Sequence, residues 1–308
     1  MMLPSHRQST ELSASFNTTT RANTRRGHTR IRENRNLTTA NIRLMQGNSN
    51  SSVSDTNATA TKLIRFGHSV EIGLDLIVVG AIDDGDNSEG RVYVYRRVDD
   101  EWIRDGRLGN LASGSRSEDF GSSVSLNGIV IVVGDDRYGD TDQGAFYVFH
   151  FEGLSWLQMQ SAFVSTVCDG RFASHVELLD QYQLFVSCSE ENISSGALYY
   201  YTRSSLWTQS SNVFTRKQTL VASDLRASEQ FGVHSSSRGT TSVIGTWQSE
   251  NGRVMAFALE NGAWAEKTVI DAPTGFEQGF GHKVAFDGNT ILIASYANAF
   301  HYSLECIV

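Results

Sequence analysis

The sequence predicts an all-β chain: a β-propeller of four-stranded antiparallel blades, five in number, behind a disordered N-terminal tail. The first observation is a repeat. Phe66, Phe120, Phe172, Phe231 and Phe280 open units spaced 49 to 59 residues apart. Gly90, Gly144 and Gly196 follow their Phe by 24 residues, and Gly252 follows by 21. Trp102, Trp156 and Trp264 follow their Gly by 12, and Trp207 by 11. A fixed period of this length marks one structural unit copied in tandem. The second observation is composition. Two prolines and 27 glycines in 308 residues suit short strands joined by tight turns. The third is that one four-stranded sheet cannot bury both of its faces, whereas blades stacked around an axis can.

The unit that opens at Phe66 justifies four strands. Ser69-Val70-Glu71-Ile72 alternates apolar and polar residues, as a strand with one covered face does. Gly73 and Asp75 supply a turn. Leu76-Ile77-Val78-Val79 is continuously apolar, as expected of a strand covered on both faces. A polar loop from Asp83 to Gly90 leads to Arg91-Val92-Tyr93-Val94-Tyr95, which alternates again. Asp99-Asp100 turns the chain and Trp102 begins the fourth strand. Aromatic pairs recur on the third strand at Tyr93 and Tyr95, Tyr147 and Phe149, and Tyr199 and Tyr201, with Met255 and Phe257 in the fourth unit. Spacing by two puts each pair on one face, where it packs against a neighbouring blade. The glycine before each third strand fits a positive φ or a close backbone approach.

The last unit has Phe280-Gly281 and Ile291-Leu292-Ile293 but no Trp strand. A strand from the other terminus, within 41–46 or Thr61 to Ile64, would complete it. The expected organisation is a tail over 1–60 and a propeller over 61–308. The propeller is either a closed five-bladed ring, the preferred arrangement, or part of a larger ring.

Charge separates the two regions. Residues 1–62 carry nine Lys/Arg against three Asp/Glu, while 63–308 carry 17 against 31, giving +6 and −14. A domain this acidic lacks the basic surface that phosphate contacts require, so nucleic acid is excluded as a partner. No apolar run approaches the roughly 18 residues of a membrane helix. The tail has no apolar secretory region. Its Arg-rich, Ser/Thr-rich, acid-poor character also fits an organelle transit peptide.

Residues 66–304 resemble the FG-GAP repeat family, the propeller type of the integrin α chain. The resemblance rests on Phe66-Gly67-His68-Ser69-Val70 with Val78-Val79-Gly80-Ala81, and on Phe120-Gly121-Ser122-Ser123-Val124 with Val132-Val133-Gly134. Later units depart from it: Phe172-Ala173 stands for Phe-Gly, and Ile293-Ala294-Ser295 for Val-Gly-Ala. The resemblance implies adhesion-type or cell-surface recognition of another protein, in an extracellular setting. Many family members carry a calcium loop between the first two strands. Here those connections are Gly73-Leu74-Asp75, Asn127-Gly128, Leu179-Asp180-Gln181 and Asp287-Gly288-Asn289, none with the several carboxylates a calcium site needs. No cofactor is therefore expected.

In this blade layout the loops between strands two and three share a face with the blade-joining loops. The expected partner-binding residues are Asp83, Asp84 and Asp86 in the first unit, with Glu89 beside them. The second unit contributes Asp135, Asp136, Asp140 and Asp142, and the third Glu190 and Glu191. Blade-joining loops add Glu118, Asp119, Asp169, Asp224, Glu229 and Glu277. Such an acidic rim suits a protein partner with a basic surface. Cys168 and Cys188 fall at one end of an antiparallel hairpin, where a disulfide fits; two separate thiols are the other arrangement. His68, His175, His234 and His282 lie on first strands, which line the axis. Because neighbouring strand positions face opposite ways, the four are not expected to point into the channel together, and structural roles are expected for them. No Gly-x-Ser-x-Gly, His-Glu-x-x-His or phosphate loop occurs. The expected function is therefore a non-catalytic, protein-binding propeller. A hydrolase or lyase with its site in the axial channel is the alternative.

Overall fold

The computed structural model describes residues 64–303, apart from 110–118, 166, 169, 204–213, 225, 248–251, 276–277 and 296–298. It contains five antiparallel sheets, each a meander of consecutive strands. Blade one is β1 (Phe66–Ile72), β2 (Leu76–Ala81), β3 (Arg91–Val98) and β4 (Glu101–Leu108). Blade two is β5 (Ser123–Asn127), β6 (Val130–Asp135), β7 (Ala145–Glu152) and β8 (Ser155–Val164). Blade three is β9 (Phe172–Leu178), β10 (Gln183–Cys188), the one-turn helix α1 (Glu191–Ser194), β11 (Ala197–Thr202) and β12 (Thr215–Leu220). Blade four is β13 (His234–Arg238), β14 (Thr241–Gly245), β15 (Arg253–Glu260) and β16 (Ala263–Asp271). Blade five has three strands, β17 (Lys283–Phe286), β18 (Thr290–Ala294) and β19 (Ala299–Ser303). The tail expected over 1–60, its candidate closing strand 41–46, residues 61–63 and Trp207 all lie outside the described residues. Ile64 is described, and its carbonyl accepts from the Asp83 N–H at 3.4 Å, which sets it beside blade one.

The apolar second strands of blades two, three and four are buried because a blade lies on each side. All six residues of β6 are buried. Core clusters fill the interfaces between consecutive blades: Val78, Val94, Phe120 and Tyr147 between one and two, and Val132, Phe172, Val186 and Tyr199 between two and three. Phe185, Phe231, Ile244 and Met255 lie between three and four, and Val254, Phe280 and Ile293 between four and five. Each outer strand slips register against its third strand, at Val94/Tyr95, Val148/Phe149, Tyr200/Tyr201 and Ala256/Phe257. A bulge at the same place in every four-stranded blade raises the local twist there.

The period in the sequence has a direct contact behind it. The glycine before each third strand docks on the Phe that opens the next unit. Gly90 bridges Phe120 and Gly144 bridges Phe172, and the N–H groups of Phe120, Phe172 and Phe231 bond to Glu89, Gln143 and Ser195 carbonyls. A Cβ at Gly90, Gly144, Gly196 or Gly252 would fall 2.0–2.3 Å from backbone atoms of that Phe.

A second link joins the innermost strands. These are sheet edges, so alternate N–H groups have no strand to bond. Side chains three and five residues after the Phe of one unit accept from the next unit's strand. Ser123 Oγ takes the Val176 N–H and Ser125 Oγ the Leu178 N–H, both at 2.9 Å. His175 Nε2 takes the Ser235 N–H at 3.0 Å, and His234 Nδ1 takes the Val284 N–H at 3.4 Å. Ser236 Oγ takes the Phe286 N–H at 2.9 Å. The corresponding residues of blade five are Lys283 and Ala285, which have no acceptor to offer.

Blade one differs on the face turned away from blade two. Phe66, Tyr93 and Tyr95 are only half-buried, while their counterparts Phe120, Tyr147 and Phe149 are buried. Val70 is 65% and Ile72 64% exposed on β1. The expected packing of the third-strand aromatics thus holds from blade two onward, where a preceding blade covers them. Among the described residues no core cluster joins blade five to blade one.

Candidate functional site: the loop face and the axial channel

The acidic loops do share one face, but the structure sorts their carboxylates into two groups. Most are clamped. Arg65 pairs with Asp83 at 2.8 Å, Arg91 with Glu89 at 2.5 Å and Arg137 with Asp119 at 3.1 Å. Arg171 reaches both Asp136 and Glu190, each at 3.4 Å. Asp84 accepts the Gly85 N–H at 2.7 Å and the Tyr93 hydroxyl. Glu191 accepts the Tyr199 hydroxyl at 2.7 Å. Asp135 is fully buried and accepts the Asp119 N–H at 3.3 Å, and Asp136 is 7% exposed. These two were expected to meet a partner; burial leaves them no surface, and they hold loops in place. Glu229 is likewise buried, bonded to Arg253 together with Asp224. Burial and the neighbouring Asp136 charge push the Asp119 carboxyl up. The second group, Asp86, Asp140 and Asp142, is exposed at the loop tips. Glu118, Asp169 and Glu277 lie outside the described residues. Trp247, which no sequence signal singled out, stands 46% exposed just after β14 and lines the mouth of the channel.

The channel is a cavity of about 1520 Å³ lined by the innermost strands of all five blades. His68, His175, His234 and His282 are all among the residues that line it. The His175 and His234 rings lie 4.4 Å apart. Burial pushes both imidazoles down, His234 to about 3, so both are neutral at pH 7. Among the described residues the channel brings no three His, Asp or Glu donors close enough to share a metal.

Glu177 is the chemically unusual wall group. Its carboxylate accepts from the Ser235 hydroxyl and, at 3.1 Å, from the Ser237 hydroxyl. Burial pushes its pKa up to about 7, against the donated hydrogen bonds, and the Glu71 charge adds to the rise. The sign of the linkage follows. Between the ordinary value of 4.5 and about 7, the folded chain holds a proton that the unfolded chain releases. Stability therefore falls as pH rises through that window. Glu177→Gln, which keeps an acceptor for the serines, should match the parent at pH 4 and exceed it by about 2–3 kcal/mol at pH 8. Urea unfolding midpoints at the two pH values check this; a difference that stays constant with pH would contradict it. The histidines titrate alike in both proteins and cancel in the comparison.

On the opposite side of blade three, Cys168 and Cys188 are joined as a disulfide with Cα atoms 5.8 Å apart. No helix among the described residues is long and apolar enough to cross a membrane.

Two proteins of known structure are similar to this chain. A protein from Lactobacillus plantarum of known crystal structure aligns over 74% of this chain and 66% of its own, at 14% identity and a TM-score of 0.50. The Dos1 propeller aligns over 74% of this chain and 52% of its own, at 14% identity and a TM-score of 0.45. The chain thus spans just under two thirds and about half of these two structures. No curated protein matches it. The family model described as the FG-GAP repeat matches residues 60–95, from before β1 into β3. The first blade of this β-propeller therefore carries an FG-GAP repeat.

Proposed function

We propose that the chain is a non-catalytic recognition module that binds a protein partner with a basic surface through its loop face. The observation that supports this is the sorting of the carboxylates. Arginines brace the loops from within, Asp86, Asp140 and Asp142 stand exposed at the loop tips of blades one and two, and Trp247 stands half-exposed on the corresponding loop of blade four. A large exposed aromatic side chain on the same loop face as these charges suits an interface, where aromatic anchors carry most of the energy. The exposed carboxylates serve to steer a basic partner and make its binding salt-sensitive. Cell-surface or adhesion-type recognition is the setting that the FG-GAP resemblance adds.

The test is affinity capture with three proteins: the parent, a variant carrying Asp86→Asn, Asp140→Asn, Asp142→Asn and Trp247→Ala, and Asp75→Asn as a control. Asp75 lies in the β1–β2 turn, on the opposite face. The loop-face variant should lose its partner or bind it at least about tenfold more weakly, while the control retains it. The same captured proteins on all three baits would remove the proposal.

A second reading, a hydrolase or lyase acting in the channel, draws on Glu177. A carboxyl with a pKa of about 7 suits a general acid or base. The two readings separate at one residue: Glu177→Gln would abolish turnover yet leave binding at the loop face unchanged.

A further inference from the structure

The disulfide of blade three has chemistry around it that a purely covalent staple does not need. Cys188 ends β10 and is fully buried; Cys168 lies on the chain leading into β9. Glu191, the first residue of α1, places Oε2 3.3 Å from Cys188 Sγ. The two sulfurs and a Glu191 oxygen all lie within 4.8 Å of one another. The Gly170 carbonyl oxygen joins them, 3.2 Å from Cys168 Sγ and 4.0 Å from Cys188 Sγ. A disulfide has no hydrogen to donate, so it gives nothing to a carboxylate and a carbonyl aimed at it. The Tyr199 hydroxyl donates to Glu191 Oε2 at 2.7 Å and fixes that carboxylate in place, as outer-shell donors do for metal ligands.

We propose that reduction of this bridge converts it into a zinc site, with the Cys168 and Cys188 thiolates and the Glu191 carboxylate as ligands. The Gly170 carbonyl or a water takes the fourth position. The reductant is a dithiol: it passes two electrons and two protons to the S–S bond, leaving two protein thiols and its own disulfide. Zinc then displaces both thiol protons as two metal–sulfur bonds form. Zn–S bonds of about 2.3 Å at tetrahedral angles set the sulfurs about 3.8 Å apart, so the strand ends need to part only slightly. Two thiolates favour zinc over calcium or magnesium, which prefer all-oxygen sites. The same two strand ends are thus tied in either state, by a covalent bond when oxidised and by a metal when reduced.

The test uses the full chain, reduced with a thiol-free phosphine so that the reductant does not compete for metal, and zinc ion as the probe. Native mass spectrometry and competition with a chromophoric chelator should give one zinc per reduced chain. Cobalt in its place should show the intense near-ultraviolet band of thiolate ligation. The oxidised parent, identical in sequence, and Cys168→Ser/Cys188→Ser should lack this tight zinc; both keep Cys306 and the histidines. Glu191→Gln should weaken binding about 10- to 100-fold. The assignment is overturned if the reduced parent binds no more zinc than the double-Ser variant, if Glu191→Gln binds as tightly as the parent, or if the bridge resists reduction in the folded chain.

Discussion

Arg253→Leu is expected to lower unfolding stability by about 3–5 kcal/mol, because it strands a buried carboxylate. Arg253 is 1% exposed and its partner Glu229 is 0% exposed. The guanidinium bonds both Glu229 oxygens, one of them at 2.6 Å, and also takes the Asp224 carbonyl at 3.1 Å and an Asp224 carboxylate oxygen. These contacts tie the start of β15 to the segment that joins blade three to blade four. The backbone is pinned on its other side, where the Thr246 hydroxyl bonds the Arg253 N–H and carbonyl at 3.1 and 3.0 Å. Asp224 reaches solvent and is readily rehydrated when the arginine is lost; Glu229 is not. The effect is therefore a desolvation cost located at Glu229. A second substitution, Glu229→Leu, should restore most of the loss, because an apolar pair in that space leaves no unpaired charge. Urea midpoints for the two single variants and the double variant at pH 7 check both statements. A single-variant loss below about 1 kcal/mol, or losses that simply add in the double variant, would contradict them.

The repeat was legible because the contacts behind it are periodic in sequence. Gly144 meets Phe172 as Gly90 meets Phe120, so the spacing of Phe and Gly records the blade-to-blade step. The partners within the channel left no such record. Ser123, His175 and His234 make the same bond to the next blade, yet they differ in residue type. Their only trace is a polar residue three positions after each Phe. The acidic face was legible as a count of carboxylates and misleading as a surface. Arg137 and Arg171 come from different loops to reach Asp119 and Asp136. Such pairing depends on loop paths that local patterns do not encode. Glu177 is the same case. Its raised pKa comes from burial, opposed by serines on β13 and reinforced by a glutamate on β1, none of them near it in sequence.

Gly144→Ala should cost about 4 kcal/mol, and Gly153→Ala only about 1. Both glycines have positive φ, +82° and +66°, so both variants pay for a left-handed alanine. The difference lies in what the new methyl meets. At Gly153 nothing stands within 4 Å of it. At Gly144 it falls 2.0 Å from the Phe172 carbonyl oxygen and 2.6 Å from the Phe172 nitrogen. Backbone atoms cannot swing aside as a side chain can, so the blades must separate. Separation breaks the bond from the Phe172 N–H to the Gln143 carbonyl, now 3.0 Å long, and withdraws a fully buried phenylalanine from the core between blades two and three. Urea midpoints measure the two losses. The near-ultraviolet circular dichroism of the aromatics in that core reports whether the blades have parted. If the two variants are equally stable, docking of Gly on the next Phe does not set the blade spacing. The conserved interval between those residues along this chain would then need another cause, and the bonds from Ser123 and Ser125 to β9 are the contacts that remain to supply it.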